Sequence, residues 1–202
     1  MFTGIVVDIG EIVALDELES GVRIGIASNQ DPDTIAMGAS IACAGICLTV
    51  IEKGRLDDGR GRFDVEASVE TLARTTMGTW RIGTRINLER SLKLGQELGG
   101  HMVTGHVDGV ADIVTRDQIG DMSHFRFKVS SDVSRFIAEK GSVALDGTSL
   151  TVNEVSGDEF NVMLIPHSLA VTTWQDRQTG DRANVEVDLM ARYVARLRDS
   201  DN

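Results

Sequence analysis

Ser40-Ile41-Ala42-Cys43-Ala44-Gly45-Ile46-Cys47-Leu48-Thr49-Val50 is written a second time 102 positions later, as Ser142-Val143-Ala144-Leu145-Asp146-Gly147-Thr148-Ser149-Leu150-Thr151-Val152. Similarity at a fixed offset reports architecture, which shared composition alone does not. Glu52 and Glu154 extend the match in the same register, and toward the N-terminus Thr3-Gly4-Ile5-Val6 matches Thr104-Gly105-His106-Val107 and Ile12-Val13 matches Ile113-Val114, at an offset of 101. Toward the C-terminus, Leu72-Ala73-x-Thr75-Thr76 matches Leu169-Ala170-x-Thr172-Thr173 and Gly83-x-Arg85-x-Asn87-x-Glu89 matches Gly180-x-Arg182-x-Asn184-x-Glu186, at an offset of 97. The offset changes across Asp57-Asp58-Gly59 and Ser156-Gly157-Asp158, two turn-forming clusters of different length, as hairpin variation would produce. The chain is two homologous halves.

Each half carries about six short strand-like runs, with period-two alternation at Arg85-Ile86-Asn87-Leu88-Glu89 and Ala183-Asn184-Val185-Glu186-Val187. Among the 202 residues, 51 Val, Ile and Thr stand against 30 Leu and Ala, an excess that favours strands. So few strands leave exposed edges unless the sheet closes, so each half is expected to be a small barrel with short helices. Asp31-Pro32 marks a helix start in the first half, and Ser131-Asp132 opens and Gly141 ends its counterpart in the second. Beyond the second copy, Leu189, Met190, Tyr193, Val194 and Leu197 fall on one face of a helix with arginines opposite. Docking on its own barrel and packing with the same helix of other subunits are both open for it. The division is residues 1–101 for the first barrel, 102–188 for the second, and 189–202 for the oligomerisation helix and tail.

With 20 basic against 31 acidic residues the net charge is -11, so the electrostatic footprint of a nucleic-acid or anionic-membrane binder is missing. No run approaches the about 18 apolar residues of a membrane span. The first basic residue is Arg23, which argues against a charged signal or transit segment and points to the cytoplasm. Cys43 and Cys47 lie in an apolar run read as one strand, where four residues span about 13 Å, too far for a disulfide. Reduced thiols agree with that compartment.

Chemistry should sit where the halves carry different groups at equivalent positions: Ile5 against His106, Ala44 against Asp146, Cys47 against Ser149, Glu70 against His167, Ser91 against Asp188. The second copy holds more of the groups that move protons or act as nucleophiles. No nucleophile-elbow motif supports an acyl-transfer triad. His101 and His106, five residues apart, are expected on opposite faces of a strand, and no metal-ligand set emerges from them or from the two cysteines. No glycine-rich segment has the strand-to-helix context of a phosphate cradle. Two similar pockets with unequal polar groups suggest two like ligands handled differently, which points to the self-reaction of one substrate.

The start Met1-Phe2-Thr3-Gly4-Ile5-Val6, the run Gly45 to Val50, Gly99-Gly100-His101-Met102-Val103-Thr104-Gly105-His106, and Asp146 to Val152 together resemble the riboflavin synthase family over nearly the whole chain. The resemblance implies an all-β fold of two tandem six-stranded Greek-key barrels plus a C-terminal α-helix, a homotrimer, and no cofactor. It implies dismutation of two molecules of 6,7-dimethyl-8-ribityllumazine, one in the first barrel of one subunit and one in the second barrel of a neighbour. Lumazine synthase is a candidate partner. Carried over, Gly4, Ile5, Val6, Cys47, Leu48, Thr49, Glu66, Ala67, Ser68, Val69, Glu70 and Thr71 look like the first-barrel pocket. Thr104, Gly105, His106, Lys140, Ser149, Leu150, Thr151, Leu164, Ile165, Pro166, His167, Ser168 and Leu169 look like the second.

Among these, Ser149 and His106, with Thr151, are expected to assist deprotonation of the methyl on C7 or addition there, Asp188 to orient the ribityl chain or relay protons, and Phe2 to cover the stacked rings; Cys47 joins them as a candidate. Two departures from the family are Ala44, where Asn is usual, and His167, where an acidic residue is usual. The rival reading is a chromophore carrier on the same frame, which does no chemistry. Such carriers tend to lose pocket residues in one half, whereas Cys47-Leu48-Thr49 and Ser149-Leu150-Thr151 are both intact here.

Overall fold

The computed structural model describes residues 1–200, and the end of the 189–202 segment, residues 201 and 202, lies outside them. The first half folds as β1 (Asp8–Leu18), β2 (Gly21–Ser28), β3 (Ser40–Cys43), β4 (Ile46–Arg55), β5 (Gly61–Ser68) and β6 (Arg85–Arg90). The second half repeats this as β7 (Gly109–Ile119), β8 (Met122–Lys128), β9 (Ser142–Leu145), β10 (Thr148–Ser156), β11 (Glu159–Leu164) and β12 (Arg182–Val187). Both sheets close in the same order, β1-β2-β5-β4-β3-β6 and β7-β8-β11-β10-β9-β12. In each the fifth strand sits between the second and the fourth, the crossover of a Greek key. Register shifts recur at equivalent places, Ile12/Ala14 with Ile113/Thr115 and Val50/Glu52 with Val152/Glu154, so the duplication extends to the bulges that bend the sheets closed.

The alternation seen in the sequence decides which side chains fill the barrels. Ile12, Ile24, Ile26, Phe63, Val65, Ile86 and Leu88 pack inside the first. Inside the second, Phe125, Phe127 and Phe160 pack around the fully buried Trp174, whose ring meets Phe125 and Phe127 edge-on at 5.4 and 5.7 Å. A third, smaller cluster of Phe2, Ala42, Val103 and Ala144 lies between the barrels.

Four local expectations change. The runs Ser40–Val50 and Ser142–Val152 are hairpins, not single strands: Ala44-Gly45 and Asp146-Gly147 take positive φ at both central positions (47° and 80°, 44° and 76°), the geometry of a type I′ turn. Cys43 therefore points into the first barrel core while Cys47 lies beside the small cluster, and both thiols are free. Asp31 does cap a helical segment, its side chain accepting from the Asp33 N–H, but the segment is a single 3-10 turn, Pro32–Thr34. Its counterpart α2 (Ser131–Ser134) starts after Ser130 and stops at Arg135, well before Gly141. Finally, His101 to His106 is loop, touching the sheet system only through the isolated Phe2–Val103 bridge, so the two histidines do not share a strand.

Three further helices bear on the site. Helices α1 (Val69–Arg74) and α3 (Pro166–Val171) follow β5 and β11 at matching positions. Helix α4 (Leu189–Ser200) follows β12 and leaves Met190, Tyr193, Val194 and Leu197 each more than half exposed, so its apolar face does not dock on its own barrel.

Candidate functional site

On β4, Leu48 turns into the barrel and Cys47 and Thr49 turn out; on β10, Leu150 turns in and Ser149 and Thr151 turn out. Period-two alternation thus presents the pairs in which the halves differ on equivalent outer faces. The loop laid over each pair comes from the opposite half. The Cys47 N–H donates to the Gly105 carbonyl at 2.8 Å, and the Ser149 N–H donates to the Gly4 carbonyl at 2.8 Å. Both glycines have φ near 75–78°, and a Cβ on either would fall 2.5 Å from the Cβ of the residue beneath it, so only glycine fits there. The carried-over grouping is corrected accordingly. Gly4, Ile5 and Val6 belong with Ser149, and Thr104, Gly105 and His106 belong with Cys47.

Each loop is aimed by a buried carboxylate at the end of its own barrel. Glu89 accepts from the Thr3 N–H and hydroxyl, both at 2.7 Å, and from the Gly4 N–H at 2.9 Å. Glu186 accepts from the Thr104 N–H and hydroxyl and from the N–H groups of Gly105 and His106, at 2.6 to 3.1 Å. Burial pushes the Glu89 carboxyl up, against the hydrogen bonds that pull it down. A short carboxylate clamp of this kind gives a loop the precision of a strand.

The first-barrel pocket is a cavity of about 470 Å³ whose lining includes Cys47, Glu70, Thr71, Arg74, His106 and Asp108. That size suits one heterocycle of moderate mass. Glu66 stands exposed on β5 beside Thr49, one register step from the Val50–Val65 pair, and Ala67 turns into the core. Ser68 caps α1 by accepting from the Thr71 N–H, Val69 is exposed, and Glu70 pairs with Arg74.

Near Ser149 and Thr151 lie Ile5, exposed, and Lys140, whose N–H donates to the Val152 carbonyl while its ammonium reaches the Asn153 carbonyl. Leu164 and Leu169 are core residues; Ile165, Pro166 and His167 are exposed at the start of α3, and the Ser168 carbonyl accepts from the Thr172 hydroxyl. Asp188 caps α4 through the Met190 N–H.

Two expected roles take a different place. Phe2 is fully buried between Ala42, Val103 and Ala144, so its ring fills the inter-barrel seam and fixes the start of the Thr3–Ile5 loop; it does not cover a ligand. Within one chain His106 lies with Cys47, not with Ser149. The histidine that does meet Ser149 is His101, its Nδ1 2.7 Å from the Ser149 Oγ. Comparison of the halves misses His101 because residues 92–103 have no second copy; the only signal was its place in the Gly99-Gly100-His101 motif.

Comparison with known proteins places the whole arrangement. The family described as the lumazine binding domain matches residues 3–91 and 104–188. The chain is 54% identical over 197 residues to the riboflavin synthase of Brucella abortus, covering 98% of each protein, and 42% identical over 200 residues to that of Mycobacterium tuberculosis, again with 98% of each covered. Among solved structures, LumP complexed with riboflavin superposes with a TM-score of 0.79 at 25% identity, over 93% of this chain and 99% of that one.

Proposed function

The chain belongs to the riboflavin synthase family of paired lumazine binding domains, and from that premise we propose that it is an enzyme converting two molecules of 6,7-dimethyl-8-ribityllumazine into riboflavin and 5-amino-6-(D-ribitylamino)uracil. One lumazine gives a four-carbon unit to the other, so the atoms balance between two copies of one substrate. What supports this is the pair of equivalent outer strand faces, each under a glycine loop clamped by a carboxylate and each presenting a different reactive pair: Cys47 and Thr49 in one half, Ser149 and Thr151 in the other.

The chemistry needs little beyond placement. The methyl on C7 is acidified by the electron-poor ring, so a group that holds or passes a proton suffices to start the transfer. Holding two rings face to face replaces a bimolecular encounter, for which effective molarities reach about 10⁵ M or more. Thr49 and Thr151, at equivalent exposed positions, would hydrogen-bond the polar edge of each ring system. The functional assembly is a homotrimer in the cytoplasm, divided as 1–101, 102–188 and 189–202. Opposing the first pocket of one subunit to the second pocket of the next brings His106 and Cys47 toward the neighbour's Ser149 and Thr151. Lumazine synthase, whose name makes it the supplier of this substrate, is the natural partner.

Incubation of the metal-free protein with the lumazine alone tests the reading. Riboflavin absorbance appears, with one pyrimidine formed per flavin; lumazine that stays bound and unchanged would support the chromophore carrier instead.

A further inference from the structure

We propose that Asp108 and Arg192 form a positioning pair that couples the C-terminal helix α4 to the first pocket: by holding the chain just past His106 against the start of α4, the pair sets how the Thr104–His106 loop lies over Cys47. This rests on the reading of the first pocket as a lumazine site, and it adds the contact through which the helix acts on that pocket.

Asp108 stands two residues beyond His106 and lines the same cavity as Cys47, Glu70 and Arg74. Both of its carboxylate oxygens are committed to the protein. Each accepts from Arg192 Nη2 at 2.8 Å, and Oδ2 also accepts from the Val187 N–H at 2.8 Å. Val187 follows Glu186 on β12, and Glu186 is the carboxylate that accepts from Thr104, Gly105 and His106. The loop is therefore gripped by β12 and grips it back two residues later, and Arg192 ties this double hold to the first turn of α4. With side chains 24% and 34% exposed, the pair is screened less than an ion pair in open solvent. Arg192 Nε is buried without a partner among the described residues, so Asp108 decides where the guanidinium rests.

The two halves differ at this point. At the offset of 101 the position equivalent to Asp108 is Val7. The backbone repeats there, since the Asp108 N–H donates to the Val185 carbonyl at 2.8 Å and the Val7 N–H donates to the Leu88 carbonyl at 3.0 Å. The side chain does not repeat. Val7 is 61% exposed, and β6 is followed by the linker where β12 is followed by α4. Only the loop over the first pocket is thus tied to a helix by this pair. Because the apolar face of α4 is exposed in the single chain, the seating of the helix depends on what covers that face, and the pair passes the seating on to His106. By reciprocity, whatever fixes α4, including burial of its face by another copy of the chain, tightens binding in the first pocket, and a ring bound there favours the seated helix.

The test is riboflavin binding, read by flavin fluorescence, to full-length chains in which one pocket at a time reports. Thr151→Ala with Ser149→Ala leaves the first pocket to report, and Thr49→Ala with Cys47→Ala leaves the second. Into each background go Asp108→Asn, Arg192→Met and the two together. Asparagine keeps an oxygen for the Val187 N–H and methionine keeps the apolar stem, so the ion pair is lost while the packing around it is spared. Either single change should weaken binding in the first pocket about tenfold, and the double change no more than either alone. The second pocket should change less than about twofold. A general loss of fold would weaken both pockets alike, and a contact between Asp108 and the ligand itself would leave Arg192→Met silent; either result overturns the coupling, as does a first pocket that keeps its affinity in both single variants. A chain with its second pocket disabled that binds no riboflavin even with Asp108 and Arg192 intact overturns the reading of the first pocket as a lumazine site, and the coupling with it.

Discussion

Ala44 and Asp146 occupy the same position of the same turn, and the difference between them is energetic as well as chemical. Both backbones are left-handed, with φ of 47° and 44°, a conformation that costs an alanine about 1 kcal/mol or more. Asp146 offsets the cost with its side chain. Fully buried, it accepts from the Asn184 N–H at 2.8 Å and from Arg177 at 2.6 Å, and burial still holds its carboxyl above the usual range. Asp146→Ala should therefore lower stability by about 3 kcal/mol, because it leaves a mostly buried guanidinium without its anion. Urea unfolding would show this, and Asp146→Ala with Arg177→Met should recover most of the loss; a single variant as stable as wild type would contradict the account. His101 adds a pH-dependent contribution. Its pKa is lowered in the folded chain, so the unfolded chain binds the proton first, and the stability it supports is full above about pH 6.5 and drains as pH falls below it. His101→Gln should flatten that part of the pH profile of urea midpoints, and an unchanged slope would assign the acid sensitivity elsewhere. Asp146-Gly147 is a turn signal that the sequence shows openly, whereas Ala44-Gly45 hides the same turn behind a residue that rarely adopts it. His101 was out of reach for a different reason: it lies in the linker between the halves, 92–103, which has no copy to be compared with.

Strands, bulges and helix positions follow from the repeat, since residues that fill one barrel recur at the places that fill the other. The exchange of loops does not follow. Nothing in the alternation of Thr3-Gly4-Ile5 or Thr104-Gly105-His106 states which barrel the segment will cover; that is decided by the clamps at Glu89 and Glu186 and by the close approach of Gly4 and Gly105 to the opposite strand. The segments carrying the candidate site residues were therefore legible one by one, but which of them meet was not. The C-terminal element was legible in its amphipathic pattern and open in its destination. With Met190, Tyr193 and Val194 each about 60% exposed, α4 carries an apolar face that a neighbouring subunit would bury. If the proposed trimer is built on α4, Val194→Glu should give monomer in light scattering without changing the β-sheet circular dichroism, and should take turnover down with it. A variant that stays trimeric would remove α4 from the interface.

At the scale of the whole chain the two barrels are joined by reciprocal contacts. Asn87 of β6 donates to the Asp146 carbonyl and accepts from the Thr173 N–H, and Asn184 of β12 donates to the Ala44 carbonyl and accepts from the Thr76 N–H. Each barrel thus holds the other's turn and the start of a 3-10 segment of the other, Thr76–Thr79 in the first half and Thr173–Gln175 in the second, with Gly45 against Gly147 at the centre. Buried hydrogen bonds of this kind resist hinge motion, so the two candidate sites of one chain keep a fixed relation, and the proposal pairs the lumazines where two subunits meet. Mixing decides this most directly. A variant disabled in the first pocket, Thr49→Ala with Cys47→Ala, and one disabled in the second, Thr151→Ala with Ser149→Ala, should each be inactive alone as the proposed trimer. Unfolded together and refolded in equal amounts, they should regain about a quarter of the wild-type turnover, since every mixed trimer then contains one intact site. A mixture that remains as inactive as its components would show that both lumazines are held within one chain, and the account would fail.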